Sequence, residues 1–176
     1  NEKVILTVAN LSPIKGIDIL IKSFKKLSYK HNFIRLFIVG HKDSSYGRSM
    51  ELEAENSPFS SKIHFTGKVN DVIKYYSIAD IFVLPTISKG EGCPVSLLEA
   101  MACDIPSIAS NVSGIKDIMN PFPELLFSAN KSDHLAEKVE GIIKGERKEK
   151  NIYREHIINN YNINMEVSNH EKIYRN

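Results

Sequence analysis

Two cysteines, Cys93 and Cys103, are all that the 176-residue sequence offers for thiol chemistry. Read as flanking one helix, they would lie ~15 Å apart, too far for a disulfide. A reducing, cytoplasmic setting is therefore the simpler expectation, the cytoplasmic membrane face included. No apolar run reaches the ~20 residues of a bilayer span, and no signal-peptide pattern opens the chain. Charge of one sign is also lacking: the formal net charge is +2, which argues against nucleic acid or an anionic membrane surface as the main partner. The six histidines, His31, His41, His64, His134, His156 and His170, show no metal-ligand spacing with cysteine or acid. There is no Walker loop and no serine nucleophile elbow. The three-glycine dinucleotide fingerprint is missing, which counts against a nicotinamide cofactor. No Asp-x-Asp pair is present to hold a divalent ion on a diphosphate. The expectation is a protein with neither metal nor cofactor.

What is present is an ordinary soluble core: 42% hydrophobic and 25% charged residues, in a length that suits one domain. The chain opens on Asn1, not methionine, and runs almost at once into an apolar segment, so a piece of a longer protein is expected. Short β-branched runs at Lys3–Ala9, Ile34–Val39, Lys62–Thr66, Ile81–Leu84, Pro106–Ala109 and Leu125–Ser128 read as six strands. Between them lie helical patterns. Ile17–Lys30 carries Ile17, Leu20, Ile21, Phe24 and Leu27 at helical spacing, and a weaker helix is expected over Met50–Asn56. Asn70 or Asp71 can cap a helix holding Val72, Ile73, Tyr76 and Ile78. In the next, Pro94 takes the first helical position, and Val95, Leu97, Leu98, Ala100, Met101 and Ala102 give an apolar face. A short helix runs from Ser113-Gly114 to Met119; another is capped by Ser132 or Asp133. The connector KGERKEK precedes two more, Asn151–Asn160 and Met165–Tyr174. This alternation predicts a doubly wound α/β domain, with a mostly parallel six-stranded, Rossmann-like sheet and C-terminal helices.

In such sheets ligands bind beyond the carboxyl ends of the strands. The loops there are NLSPIKG, GHKDSSYG, TGKVND, PTISKGEGCP and SNVSGIKD, and they hold most of the chemically loaded residues. In the first, Lys15 can reach a phosphate while Gly16 closes the turn; a solvated lysine beside a routine turn glycine is the plain alternative. His41 can line the same cleft, whereas His64, between Ile63 and Phe65, reads as structural. In Ser88–Ser110, Glu91 stands between Gly90 and Gly92, just before a helix start that attracts anions. Glu99 interrupts the apolar segment LLEAMA. An acid there needs a partner, which is either the hydroxyls of a ribose or an internal arginine or lysine. The residues alone leave both open. Cys93 and Cys103 read as small hydrophobes.

Three stretches, TVANLSPIKGIDILIKSF, FTGKVNDVIKYYSIADIFVLPT and SKGEGCPVSLLEAMACDIPSIAS, resemble the C-terminal, donor-binding domain of GT-B glycosyltransferases, specifically the large retaining family 4 (glycosyltransferases group 1). The last contains a Glu-x7-Glu pattern, Glu91 and Glu99. The resemblance implies that the whole chain, 1–176, is one nucleotide-sugar-binding domain. Lys15 would bind the donor diphosphate, Glu99 the ribose and Glu91 the sugar, making Glu91 and Lys15 the catalytic pair. Asn10, Gly16 and Gly40 would belong to the donor site, and Lys68, Val69 and Asp71 would edge the base. Backbone groups around Gly92, Cys93, Pro94 and Val95 would hold sugar and phosphate oxygens, Pro94 contributing no N–H. Three positions depart from the pattern. Asn10 stands where many members carry arginine, Asp104 where glycine is usual, and Met165 where an aromatic often starts the last helix. The implied enzyme moves a sugar from a nucleoside diphosphate sugar to a hydroxyl of a saccharide or lipid-linked acceptor. Its acceptor half would be an N-terminal domain, missing here, through which peripheral membrane association would arise. The isolated domain would be inactive. A non-catalytic nucleotide-sugar-binding subunit is the alternative. The Glu-x7-Glu segment speaks against an epimerase of the same architecture.

Overall fold

The computed structural model describes residues 2–88, 92, 94–145 and 151–161. Six strands form one sheet: β1 (Lys3–Val8), β2 (Ile34–Val39), β3 (Ile63–Gly67), β4 (Ile81–Leu84), β5 (Ser107–Ser110) and β6 (Leu126–Phe127). Their order is β3-β2-β1-β4-β5-β6, and every neighbouring pair is parallel. The expected six-stranded α/β architecture is therefore observed. The central strands are apolar because both sheet faces are covered: Ile5, Leu6, Leu36, Ile38 and all of β4 are buried. β1 pairs on one side with β2, Lys3 opposite Ile34 through Val8 opposite Val39, and on the other with β4, Ile5 opposite Ile81. The chain thus reverses its direction of winding between β1 and β4, and a crevice opens there at the carboxyl ends.

The covering helices are α1 (Ile17–Lys30), α2 (Ser45–Glu55), α3 (Ile73–Ile78), α4 (Val95–Ala102), α5 (Ile115–Ile118), α6 (Ser132–Ile143) and α7 (Ile152–Asn160). α1 buries the expected stripe of Ile17, Leu20, Ile21, Phe24 and Leu27 and packs against α6. α4 packs against α7, which inserts Tyr153 and Ile157.

Several local expectations need correction. α2 starts at Ser45, five residues before Met50. Ser44 caps it by accepting the Gly47 N–H at 3.0 Å, a start signal hidden in a uniformly polar run. Pro94 is the N-cap of α4, not its first helical residue: its ψ is 91°, and its carbonyl accepts from the N–H groups of Leu97 (2.9 Å) and Leu98 (3.3 Å). Val95 is 61% exposed, so the buried face is Leu97, Ala100 and Met101. In α3 only Tyr76 is buried, while Ile73 and Ile78 are exposed, because this short helix touches the sheet on one side. Asp71 does serve its start, accepting the Ile73 N–H at 3.2 Å. α6 begins at Ser132 itself, after Lys131, with no side-chain cap. Cys103 sits exposed just past the end of α4 and is not a core hydrophobe. Asp104 takes the left-handed backbone, φ 57°, that favours glycine at such a position. The expected helix over 165–174 lies outside the described residues, as does most of KGERKEK.

Candidate functional site

The loops at the carboxyl ends of β1 to β4 are tied together by backbone contacts that permit no side chain. Gly16 has φ 62°, and a Cβ there would come within 2.1 Å of the Pro85 carbonyl oxygen and 2.8 Å of Ile87. The Ile87 N–H donates to the Ile14 carbonyl at 2.9 Å. The loop carrying half-buried Lys15 is thereby pressed onto the loop after β4, the one that leads to Ser88 and on to α4. Gly40, at φ 143°, leaves no room for a Cβ against the Ala9 carbonyl, 2.0 Å away. Its N–H donates to Gly67 at 3.0 Å, and the Leu11 N–H donates to His41 at 2.9 Å. The Ser44 hydroxyl donates to the Leu11 carbonyl at 2.9 Å, which adds the start of α2 to the same cluster.

Between the ends of β1, β2 and β3 these ties leave an open cleft of about 420 Å³. Val8, Val39, Val69 and Val72 give it an apolar floor, and Asn10, His41 and Lys68 a polar rim around Gly40. A flat ring that buries one face and accepts hydrogen bonds at its edge suits such a lining. Four residues singled out from the sequence, Asn10, Gly40, Lys68 and Val69, thus share one cleft, with His41 beside them. Asp71 does not line it; besides the Ile73 N–H, its carboxylate meets Lys74 at 3.5 Å. His64 is structural as expected, stacked on Phe37 with ring centroids 4.8 Å apart. A second concavity of about 360 Å³ lies between the start of β6 and the end of α6, at the amino end of the sheet, and holds none of the singled-out residues.

The other part of the candidate site is α4. Gly92 is exposed, with open space around it, and Pro94 is buried. The first amides of the helix, at Val95 and Ser96, have no acceptor within it, as at any helix start. Glu91 and Cys93 lie outside the described residues. Glu99 is half-buried and has a partner that the sequence did not suggest. It is neither arginine nor lysine: the Tyr76 hydroxyl donates to Glu99 Oε2 at 2.8 Å, with the Ser96 carbonyl at 3.2 Å. Burial first, and then Glu99, pushes the Tyr76 phenol far above the ordinary tyrosine range, so it remains a donor. No local pattern signals this pair, because its members are 23 residues apart on different helices. Burial, followed by Glu99, also holds the Cys103 thiol above its usual range. Among the described residues, no group of three or more His, Cys, Asp or Glu side chains is placed to hold a metal ion.

Residues 1–160 match the family model described as glycosyl transferases group 1. Over 145 residues the chain is 31% identical to the Campylobacter jejuni N,N'-diacetylbacillosaminyl-diphospho-undecaprenol alpha-1,3-N-acetylgalactosaminyltransferase, covering 82% of this chain and 36% of that protein. In structure it is similar to Anabaena HepE, crystallised in complex with UDP and glucose (TM-score 0.75, 20% identity, 83% of this chain and 40% of that one). It is also similar to a crystallised C-terminal domain of LpcC, a glycosyl transferase group 1 family protein of Francisella tularensis. There the TM-score is 0.75 at 20% identity, over 92% of this chain and 87% of that one. The chain spans less than half the length of the curated relatives it matches, 36% in the Campylobacter case.

Proposed function

The chain belongs to the glycosyl transferases, group 1, and on that premise we propose that it is the C-terminal, donor-binding domain of a retaining GT-B enzyme of family 4. The full enzyme transfers a sugar from a nucleoside diphosphate sugar to a hydroxyl of a saccharide or lipid-linked acceptor. The observation that carries this reading is the cleft at the carboxyl ends of β1–β3, tied through Gly16 and Ile87 to the loop that leads into α4. The apolar floor with Lys68 and Val69 takes the base. Glu99 accepts from the ribose hydroxyls. Lys15 and the first amides of α4 face the diphosphate, where negative charge builds as the sugar departs; fixed donors there stabilise the leaving group more than the ground state. Glu91 orients the sugar. The lysine and the amides carry the phosphate charge, so the proposal invokes no metal.

The acceptor site belongs to an N-terminal domain of the same protein. Supporting this division, the chain covers 36% of the Campylobacter enzyme but 87% of the crystallised C-terminal domain from Francisella. No described helix is long and apolar enough to cross a membrane. We place the enzyme in the cytoplasm, with any membrane contact made through the acceptor half. Glu99→Ala tests the ribose role. Nucleoside diphosphate binding should weaken by about 1–3 kcal/mol, as expected for losing hydrogen bonds to a charged acceptor. Equal affinities for parent and variant would sink that role.

A further inference from the structure

We infer that Tyr76 is a positioning residue for nucleotide recognition: its hydroxyl holds one oxygen of the Glu99 carboxylate so that the other is presented to the ribose. The inference rests on the reading of Glu99 as the ribose acceptor and adds a residue to it. Tyr76 is 1% exposed and is the one buried residue of α3. Its ring lies against Phe82 of β4, centroids 6.1 Å apart. That packing fixes the ring and therefore the hydroxyl, which lies 2.8 Å from Glu99 Oε2. Hydrogen bonds of this kind, from hydroxyl to carboxylate, are short and strong.

A glutamate's last torsion is broad and nearly two-fold, so an untethered carboxylate samples many orientations. With Oε2 engaged, the carboxyl plane is set and Oε1 keeps its acceptor sites for a ligand. The same helix reaches the cleft: Val72, the residue before α3, lines it, and Tyr76 follows one turn later. The hydroxyl therefore links the wall of the proposed base pocket to the proposed ribose acceptor on α4. The plain alternative is a core tyrosine whose hydroxyl has only found a convenient partner. The two differ in what the hydroxyl does for a ribose compared with a sugar that lacks its diol.

Tyr76→Phe removes one oxygen atom and leaves the ring. Calorimetric affinities for UDP and for 2′,3′-dideoxy-UDP, or the matched GDP or ADP pair where the chain prefers that base, decide the question. The parent should favour the ribonucleotide about tenfold or more. Tyr76→Phe should weaken the ribonucleotide by about three- to tenfold, the scale of one hydrogen bond to a charged group, and leave the dideoxy affinity unchanged. A destabilised control away from the pair, Val139→Ala in the buried face of α6, leaves Tyr76 and its packing intact and should retain the parent ratio. An equal loss for both nucleotides, no loss for either, or the same fall in ratio in Val139→Ala overturns the positioning role. So does a Tyr76→Phe chain that does not fold, since the hydroxyl would then belong to the fold. A parent that fails to distinguish the two nucleotides overturns the ribose role of Glu99 itself, a separate result.

Discussion

At the scale of single residues, the site depends on atoms that are missing as much as on those present. Gly16 is the clearest case. Its φ is left-handed, and a methyl group at its α-carbon would meet the Pro85 carbonyl oxygen at 2.1 Å, so only hydrogen fits that space. Gly16→Ala must move one of two loops, and one of them carries Lys15. The expected cost is about 2–4 kcal/mol, a left-handed penalty plus overpacking, read as a lower denaturation midpoint in urea with an unchanged slope. A variant as stable as the parent would show that the two loops are not tightly coupled. The lysine-glycine pair was visible in the sequence, but the reason for the glycine was not, since the clash comes from a residue 69 positions away (85 − 16). Glu99 carries the same lesson. Its place in an apolar helix marked it as an acid needing a partner. The partner, Tyr76, is reached only through tertiary packing.

Secondary-structure elements with strong local patterns were legible. The buried strands and α1 lie where β-branched runs and the 3.6-residue period put them. Elements that depend on one residue were not. α3 buries only Tyr76, with Tyr75 half-buried against Phe37 of β2, and α2 starts at a serine inside a run of polar residues. The junction of α4 and α7 shows how a local departure is compensated. Asp104 adopts φ 57°, where glycine would be easier. In exchange its Oδ2 accepts the Asn151 N–H at 2.9 Å, at the start of α7, where the helix dipole also favours an acid. Asp104→Ala loses the acceptor and puts a side chain less tolerant of the left-handed backbone in its place. It should cost about 1–2 kcal/mol and speed amide hydrogen exchange in α7 more than in α1. Uniform exchange across both helices would contradict a local clasp.

For the whole molecule, alternating strands and helices forecast a doubly wound sheet, and the order β3-β2-β1-β4-β5-β6 realises it. The order itself depends on pairings such as β1 with β4, whose paired residues are 76 apart (81 − 5), and local sequence does not encode these. That order places the crevice beside β1, and hence Asn10, Lys15, Gly40 and Lys68 on one rim of the domain. This rim and α4 together are the proposed binding site for a nucleoside diphosphate sugar. Isothermal titration of the chain with UDP, GDP, ADP and their glucose, mannose and N-acetylglucosamine derivatives tests it most directly. Saturable one-to-one binding to one of the three nucleoside diphosphates is expected, weaker for the bare nucleoside and weakened again by Lys15→Ala. Absence of binding to every member of the series, or binding indifferent to the diphosphate and to Lys15, would contradict it.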